Sequence, residues 1–151
     1  MSEPLFRRAV AADVPAIVGL LADDVLGAAR EAPGDPAYDA AFAAIEADAN
    51  QLLAVVEQDG VVVGCLQLSV MPGLSHRGMW RGQIESVRIA SGQRGSGLGR
   101  RVIAWAIEQL RARGCGMVQL TTDKSRVDAR RFYESLGFVA SHEGMKLKLR
   151  G

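Results

Sequence analysis

The sequence has few of the residues that mark disulfide frameworks, metal clusters or nucleic-acid binding. Among its 151 residues are two cysteines and two histidines, and only 5% are aromatic. Cys65 and Cys115 have neither metal-ligand spacing nor a partner cluster, so we expect two reduced, mostly buried thiols and no metal site. The formal net charge of +1 gives no reason to propose nucleic acid as the main partner.

Long hydrophobic runs are also missing. No apolar segment approaches the roughly 20 residues of a membrane span, and the N-terminus has no signal-peptide hydrophobic core. We therefore expect a cytoplasmic protein without a membrane partner. The apolar share of 48% and charged share of 23% are those of a globular protein. The length predicts a single domain over residues 1–151 with a sizeable core.

Charge is unevenly distributed along the chain. Through Asn50 there are nine acidic residues against three basic ones, and basic residues predominate in the rest. Two interpretations stay open. The acidic residues belong to ordinary solvated helix faces, or an acidic N-terminal region meets a cationic substrate while the basic C-terminal region meets a polyanionic cofactor.

Hydrophobic periodicity and turn residues predict a mixed α/β (α+β) fold in the order β-α-α-β-β-β-α-β-α-β-β. This order gives a mostly antiparallel sheet of six to seven strands flanked by about four helices. The predicted strands are Leu5–Val10, Leu52–Glu57, Val61–Val70, Ile84–Ile89, Met117–Thr121, and a closing hairpin of Phe138–Val139 with Met145–Leu149. The predicted helices run from Asp13 to about Gly27, then Ala37–Ala49, Leu98–Arg113 and Val127–Leu136.

The most informative stretch runs from Ile84 to Arg100. Its alternating apolar residues predict a strand, which breaks into a glycine-rich turn that opens directly onto an apolar-periodic helix. Glycines let the backbone approach a ligand, and the first N–H groups of a helix have no intrahelical acceptors. The stretch therefore predicts a phosphate-binding turn, flanked by the positive charges of Arg94 and Arg100.

The glycine spacing narrows the type of phosphate ligand. A P-loop is excluded because positions 98 and 99 lack the required Lys-Ser/Thr pair. The dinucleotide fingerprint fails at its third glycine, which is Arg100, but Asp123 lies near the distance expected for a ribose contact, so a dinucleotide module stays an alternative. The remaining pattern is Arg-x-x-Gly-x-Gly, formed by Arg94, Gly97 and Gly99.

A second motif, Ala-x-x-x-Tyr-x-x-x-Gly-Phe, spans residues 129–138. Together with Ile84-Glu85 and the Arg-x-x-Gly-x-Gly turn, it resembles the GNAT superfamily of N-acetyltransferases, and the element order agrees over nearly the whole chain. The resemblance implies a GNAT-like sheet, acetyl-CoA as cosubstrate, and acetyl transfer to a primary amine of a small molecule or peptide. Thr121–Arg126 and the following helix are most similar to the aminoalkylphosphonate type.

The resemblance also implies catalytic roles. Glu85 precedes the phosphate turn, where it would accept the amine proton directly or through a water; a salt bridge with Arg81 or Arg88 is its alternative role. Tyr133 would protonate the leaving thiolate, and its alternative role is that of a core aromatic. His76 is another candidate base in a plausible substrate loop, and His142 is a weaker one.

The expected cofactor-binding residues share main-chain donors or positive charge. They are Val87, Arg88, Ile89, Arg94, Gly95, Ser96, Gly97, Leu98, Gly99, Arg100, Asp123 and Arg126. The N–H groups of Val87 and Ile89 would hold the acetyl carbonyl and the pantetheine arm. Many relatives have an asparagine in the region of Asp123, so the pantetheine contact there stays open.

Neither cysteine lies in a motif suited to a covalent nucleophile, so we expect direct transfer in a ternary complex. The resemblance is compatible with a symmetric homodimer. A non-catalytic acyl-CoA-binding or sensing domain is the alternative function, because it would share the phosphate turn. It would need neither Glu85 nor Tyr133.

Overall fold

The computed structural model of the chain describes residues 2–150, and it divides between Gln119 and Leu120 into two compact units. The strands of the first unit are β1 Leu5–Arg8, β2 Gln51–Gln58, β3 Val61–Met71, β4 Trp80–Ile89 and β5 Cys115–Gln119. Its helices are α1 Val14–Ala22, α2 Val25–Arg30, α3 Ala37–Ala47, the single turn α4 Ser75–Gly78, and α5 Leu98–Ala112. The second unit contains α6, Val127–Ser135.

The sheet of the first unit has the strand order β1-β2-β3-β4-β5. Neighbouring strands are antiparallel except β4 and β5, which run parallel. The β2–β3 hairpin turns through Asp59 and Gly60, both with positive φ, as a tight two-residue hairpin loop requires. The α5 crossover joins the one parallel pair, which cannot be linked by a short turn.

Apolar residues cover both faces of this sheet. Val55 and its cross-strand neighbour Cys65 are buried in one cluster with residues of α1 and α3. Residues that alternate with them point to the other face, where Val56 pairs with Phe6. The ring of Phe6 stacks on Trp105 of α5, with centroids 5.4 Å apart. We call the face with Val55 and Cys65 the α1/α3 face, and the face with Val56 and Phe6 the α5 face.

Helix α5 buries one apolar face, as its periodicity predicts. Leu98, Val102, Ile103, Ala106 and Leu110 are buried, at the spacing of one helix face. The helix also approaches the backbone of β4, because a Cβ added at Gly82 would lie 2.7 Å from the side chain of Leu110. This close packing fixes the last turn of α5 relative to the beginning of β4.

The predicted first helix is divided in two. Helix α1 ends at Ala22, and α2 begins at Val25 after Asp24, whose side chain accepts from the amide of Gly27. An aspartate at this position satisfies an amide that the helix start would leave without a partner. The break places the Asp24 carboxylate at the junction of the two helices.

The mixed α+β class and the mostly antiparallel sheet are confirmed, but the predicted number of strands is wrong. The described residues form five strands, and the closing hairpin of Phe138–Val139 with Met145–Leu149 is not among them. Met145, Leu147 and Leu149 are 95%, 85% and 91% exposed. Alternating apolar residues are typical of a strand with one buried face, but a strand also needs a neighbouring strand to pair with. An isolated hairpin is only marginally stable.

The helices are more numerous than the predicted four, because α2 and α4 were not expected as separate elements. Both are short: α4 occupies part of the expected loop, and His76 and Arg77 within it have φ of 54° and 60°. Within residues 2–150, no helix is both long enough and apolar enough to cross a membrane.

Candidate active site

The glycine-rich turn lies between the end of β4 and the start of α5. Gly95 and Gly97 have φ of 80° and 83°, values at which a residue with a Cβ is strained. A Cβ added at either glycine would meet nothing within 4 Å. Glycine is therefore needed here for backbone conformation, and the space beside the turn at the N-terminus of α5 is open.

The turn offers main-chain amides at the start of α5. The amide of Arg101 donates to the carbonyl of Gly97 at 3.3 Å, so the amides of Leu98 and Gly99 precede the hydrogen-bond ladder of the helix. The Ser96 hydroxyl accepts from the Leu98 amide at 3.3 Å. These donors and the positive end of the helix dipole make the turn suitable for a polyanion such as a diphosphate.

The predicted members of this turn lie in one exposed segment of the first unit. They are Arg94, Gly95, Ser96, Gly97, Leu98, Gly99 and Arg100. All except Leu98 and Gly99 are exposed, and Leu98 is buried as the first core residue of α5. The buried leucine anchors the helix start while the residues around it stay accessible.

Strand β4 extends beyond its parallel neighbour. β5 pairs only with Trp80–Gln83, so Ile84–Ile89 has no partner on β5. The amide of Ala90 donates to a carbonyl of β3 at 2.8 Å. Because N–H groups of alternate strand residues point to opposite edges, those of Ile89 and Val87 point to the edge that β5 leaves open. Main-chain donors therefore run from this edge toward the glycine turn.

A β-bulge interrupts β4 at Ser86. Cys65 pairs with Arg88 and Gln67 pairs with Glu85, so one residue of β3 stands opposite two residues of β4. Ser86 has φ of 55°, and its carbonyl accepts from the Cys65 thiol at 3.6 Å. A left-handed serine costs roughly 1–2 kcal/mol, and bulges often lie beside active sites, where they redirect side chains.

A cavity of about 160 Å³ lies between the α1/α3 face and the helices that cover it. It is lined by Val14, Ile17, Val18, Leu21, Tyr38, Ala41, Phe42, Ile45, Leu53, Cys65, Gln67 and Ser86. None of these lining residues is charged. Because Ser86 belongs to the bulge, one end of the cavity adjoins the irregular part of β4.

Glu85 lies beside this cavity, since its cross-strand partner Gln67 lines it. The Glu85 side chain is exposed, and its Oε1 accepts from the Ser69 hydroxyl at 3.4 Å. Gln51 Oε1 accepts from Gln67 Nε2 at 2.9 Å and lies 3.0 Å from the Ser69 hydroxyl. A short row of polar side chains thus connects the carboxylate to the cavity.

The two arginines that were the alternative partners of Glu85 are engaged elsewhere. Arg88 Nε lies 3.5 Å from Asp24 Oδ2, and its Nη1 donates to the Val87 carbonyl at 2.9 Å. Arg81 donates to Gln119 Oε1 at 3.4 Å. Both guanidinium groups thus contact residues other than Glu85.

The two thiols have environments that suppress thiolate formation. Burial raises the pKa of Cys65 to about 12, despite the opposing charge of Arg88. Desolvation also raises the pKa of Cys115. Only the thiolate is a good nucleophile. Neither thiol is therefore suited to attack a thioester near neutral pH.

Tyr133 lies on α6 in the second unit. Its ring is half-buried and makes edge contacts with Phe132 and Phe138, at centroid distances of 5.2 and 5.8 Å. The Phe138 amide donates to the Tyr133 carbonyl at 3.1 Å, which turns the chain back on the helix end. The three aromatic residues of the second motif thus form one cluster.

The predicted cofactor residues of the second unit precede α6. Asp123 Oδ1 accepts from the Ser125 amide and hydroxyl at 2.9 and 2.6 Å, and these bonds lower the pKa of Asp123. The Arg126 amide donates to the Asp123 carbonyl at 2.9 Å. Asp123 therefore organises the turn before α6, and Arg126 is exposed at the helix start. His142 lies beside Ser141, whose Oγ is 2.7 Å from its Nδ1.

Several features of the site could not be identified in the sequence. The left-handed Ser86 has no glycine to mark it, and the cavity depends on how α1 and α3 pack on the sheet. The Asp24–Arg88 contact joins residues far apart in the chain. Asp24 itself carries a helix-start signal, because an aspartate is a favoured residue immediately before a helix.

Comparisons with known proteins agree with this geometry. The model of the Acetyltransferase (GNAT) family matches residues 20–138. An aminoalkylphosphonate N-acetyltransferase from Salmonella typhimurium strain LT2 is 34% identical over 106 residues, which cover 70% of this chain and 68% of that protein. A glucosamine 6-phosphate N-acetyltransferase from Trypanosoma brucei brucei is 36% identical over 90 residues, or 60% of this chain and 59% of that protein.

A solved structure provides a comparison over the full fold. The crystal structure of a transcriptional regulator from Bacillus halodurans C-125 superimposes with a TM-score of 0.93 at 46% identity, covering 97% of this chain and 100% of that one. The family match extends over well more than half of the sequence and includes both the glycine turn and the second motif. The chain therefore belongs to the acetyltransferase (GNAT) family.

Proposed function

We propose that this protein transfers the acetyl group of acetyl-CoA to the primary amine of a small molecule, by direct attack within a ternary complex. The observation that carries this proposal is the line of main-chain donors from the open edge of β4 to the start of α5. An acyl-CoA carries a diphosphate at one end and a thioester at the other, with amide groups between them. A run of amides ending at a helix N-terminus suits that arrangement.

In this proposal the N–H groups of Val87 and Ile89 donate to the thioester carbonyl and the pantetheine arm. The amine nitrogen attacks the carbonyl carbon, and the carbonyl oxygen becomes an oxyanion. A preorganised donor stabilises that charge, and removal of such a donor typically costs 10²–10³ in rate. The carbon–sulfur bond then breaks, and the coenzyme leaves as a thiolate.

Glu85 is the proposed general base. An amine with a pKa of about 10 is protonated at neutral pH and cannot attack until it loses a proton. The carboxylate is exposed and lies at the edge of the cavity, so we propose that the proton reaches Glu85 through a water. The Ser69 hydroxyl, 3.4 Å from Glu85 Oε1, would orient the carboxylate.

Tyr133 is the proposed acid, which gives its phenolic proton to the coenzyme thiolate. Support comes from its place in the second motif and from the packing of its ring between Phe132 and Phe138. Asp123 and Arg126 are proposed to act in cofactor binding, Asp123 through the turn it organises and Arg126 through its charge. We propose one catalytic domain over residues 1–151; the cytoplasmic location and the homodimer stay predictions.

The raised pKa values of Cys65 and Cys115 support direct transfer over a covalent acetyl-cysteine. The function is tested by release of coenzyme thiol from acetyl-CoA with a panel of primary amines. Tight binding of acetyl-CoA with no turnover on any amine would instead favour the acyl-CoA-sensing alternative. Competition by NAD for the same site would favour the dinucleotide module.

The role of Glu85 has its own test. Glu85→Gln should lower kcat/KM about 10²-fold near neutral pH, as loss of a general base typically does. The rate should recover toward alkaline pH, because free amine becomes abundant without a base. Glu108→Gln, which removes an exposed carboxylate of α5, should leave the pH profile unchanged. A Glu85→Gln profile parallel to that of the wild type would remove Glu85 from this role.

A further inference from the structure

We infer that the acceptor amine carries an uncharged hydrocarbon group of about the size of a phenyl ring, which binds in the cavity beneath α1 and α3. This inference rests on the proposed function and adds the chemical class of the acceptor. It predicts that arylalkylamines, or amines with a comparable branched alkyl group, are better acceptors than amines with a phosphate or phosphonate.

The size of the cavity sets the size of the group. Its volume is about 160 Å³, and an apolar cavity of about 150 Å³ is large enough to bind benzene. Most of the lining is aliphatic or aromatic, with contributions from α1, α3 and the sheet. Transfer of a hydrocarbon group from water into such a lining is favourable. A strongly hydrated group would lose its hydrogen bonds to water and find few replacements there.

Two of the polar side chains of the lining, those of Tyr38 and Gln67, have partners within the protein. The Tyr38 hydroxyl donates to Glu31 Oε1 at 2.9 Å and accepts from the Ala32 amide at 2.9 Å. Gln67 Nε2 donates to Gln51 Oε1 at 2.9 Å. Tyr38 therefore presents its ring to the cavity while its hydroxyl holds the segment that follows α2. Few donors remain for a substrate anion.

The residues that line this cavity include no cation. Phosphate and phosphonate groups are normally held by arginine or lysine, often in paired hydrogen bonds. The Salmonella and Trypanosoma relatives are named for acceptors that carry such a group. Here the nearby guanidinium of Arg88 lies against Asp24 and does not line the cavity. A dianion would therefore enter this cavity without a counter-charge.

The cavity lies next to the residues proposed to take part in acetyl transfer. Ser86 of the bulge lines it, and so does Gln67, the cross-strand partner of Glu85. An amine whose hydrocarbon end lies among the residues of α1 and α3 would extend its nitrogen toward the bulge. Glu85, the proposed base, and the open edge of β4 both lie next to the bulge.

The first experiment compares acceptors with the full-length protein. Thiol release from acetyl-CoA is measured with 2-phenylethylamine, hexylamine, 2-aminoethylphosphonate and glucosamine 6-phosphate. We expect kcat/KM for 2-phenylethylamine to exceed that for 2-aminoethylphosphonate on the order of 100-fold, since poor pocket complementarity typically costs that much or more. An equal or reversed preference would overturn the inference while leaving acetyl transfer intact.

A variant pair locates the effect in the cavity. Ala41 lines the cavity but is exposed, so Ala41→Phe should narrow the cavity without unfolding the protein. It should raise KM for 2-phenylethylamine at least about tenfold. Ala43→Phe, which adds the same ring to the other side of α3, should leave this KM unchanged. Equal effects of the two substitutions would contradict a binding site in this cavity.

Equilibrium binding separates this inference from the proposed function. Binding of 2-phenylethylamine is measured by NMR line broadening with wild type, Ala41→Phe and Ala43→Phe. Binding that Ala41→Phe alone weakens would support the cavity as the amine site, even if no amine were acetylated and the proposed function failed. No binding of 2-phenylethylamine, together with turnover of 2-aminoethylphosphonate, would sink the inference and keep the function.

Discussion

Gly97→Ala offers a sharp test of the phosphate turn, because its cost comes from backbone conformation alone. Gly97 has φ of 83°, and an added Cβ would meet nothing within 4 Å. No steric clash therefore contributes. The left-handed conformation costs a residue with a Cβ roughly 1–2 kcal/mol.

This cost can be observed in one of two measurements. If the alanine keeps the left-handed conformation, the free energy of unfolding falls by about 1–2 kcal/mol and coenzyme A binds as before. If the turn relaxes, stability is retained and the amides of Leu98 and Gly99 move. Affinity for coenzyme A then falls roughly 5–30-fold, which is the same free energy expressed as a ratio.

Urea unfolding measures the loss of stability, and calorimetric titration measures the loss of binding free energy for coenzyme A. We expect the two losses to sum to about 1–2 kcal/mol. Gly97→Asn should cost less, because asparagine tolerates this conformation better. Gly92→Ala is the matched control: its φ is not positive and an added Cβ has open space, so both measurements should change little. If Gly97→Ala changed neither stability nor affinity, the proposed geometry of the turn would be wrong.

Three further predictions each depend on the surroundings of one side chain. Tyr133→Phe should lower kcat about 10²-fold, as expected for loss of an acid, with circular dichroism and coenzyme A affinity unchanged; an unaffected kcat would exclude the phenol as the acid. Asp13→Asn should cost about 2 kcal/mol of stability, because Asp13 is buried and bound by both terminal nitrogens of Arg7, at 2.7 and 3.0 Å. The Arg7 hydrogen bond lowers the pKa of Asp13, so its stabilisation is complete above the unfolded pKa near 4 and is lost as the pH falls through the lower folded value. Urea unfolding between pH 3 and 7 should therefore show a shallower acid decline for Asp13→Asn than for wild type, and parallel curves would exclude this linkage. Burial raises the pKa of Cys65 to about 12. In the Cys115→Ser variant, Cys65 should therefore react with iodoacetamide at pH 8 at least about a thousandfold more slowly than free cysteine does. Rapid labelling of the folded variant, detected by mass spectrometry, would contradict the burial of Cys65.

The sequence was most informative where a local pattern is sufficient to determine the structure. The apolar periodicity predicts a helix over Leu98–Arg113, and α5 occupies Leu98–Ala112 with one apolar face buried. Asp59-Gly60 is a typical hairpin signal, and the left-handed conformations of both residues form the two-residue turn between β2 and β3. The glycine turn was recognised for the same reason, since Gly95 and Gly97 occupy conformations that other residues avoid.

The sequence was least informative where the structure depends on a partner distant in the chain. Met145–Leu149 alternates like a strand, but pairing requires an edge that alternation cannot specify. Ser86 adopts its left-handed conformation because the register between β3 and β4 shifts by one residue, and no local residue signals that shift. The break at Asp24 could have been predicted from helix-start chemistry, whereas its contact with Arg88 could not.

The open edge of β4 has a consequence for how this protein can diverge. Donor recognition through Val87 and Ile89 would use peptide groups, which are the same for almost every amino acid. Substitution of these side chains would therefore leave the choice of acyl donor largely intact. Residues beneath α1 and α3 interact through side-chain shape, so mutation there would alter the accepted amine first. New substrates could thus be acquired in this fold by repacking one pocket, without rebuilding the means of binding the coenzyme.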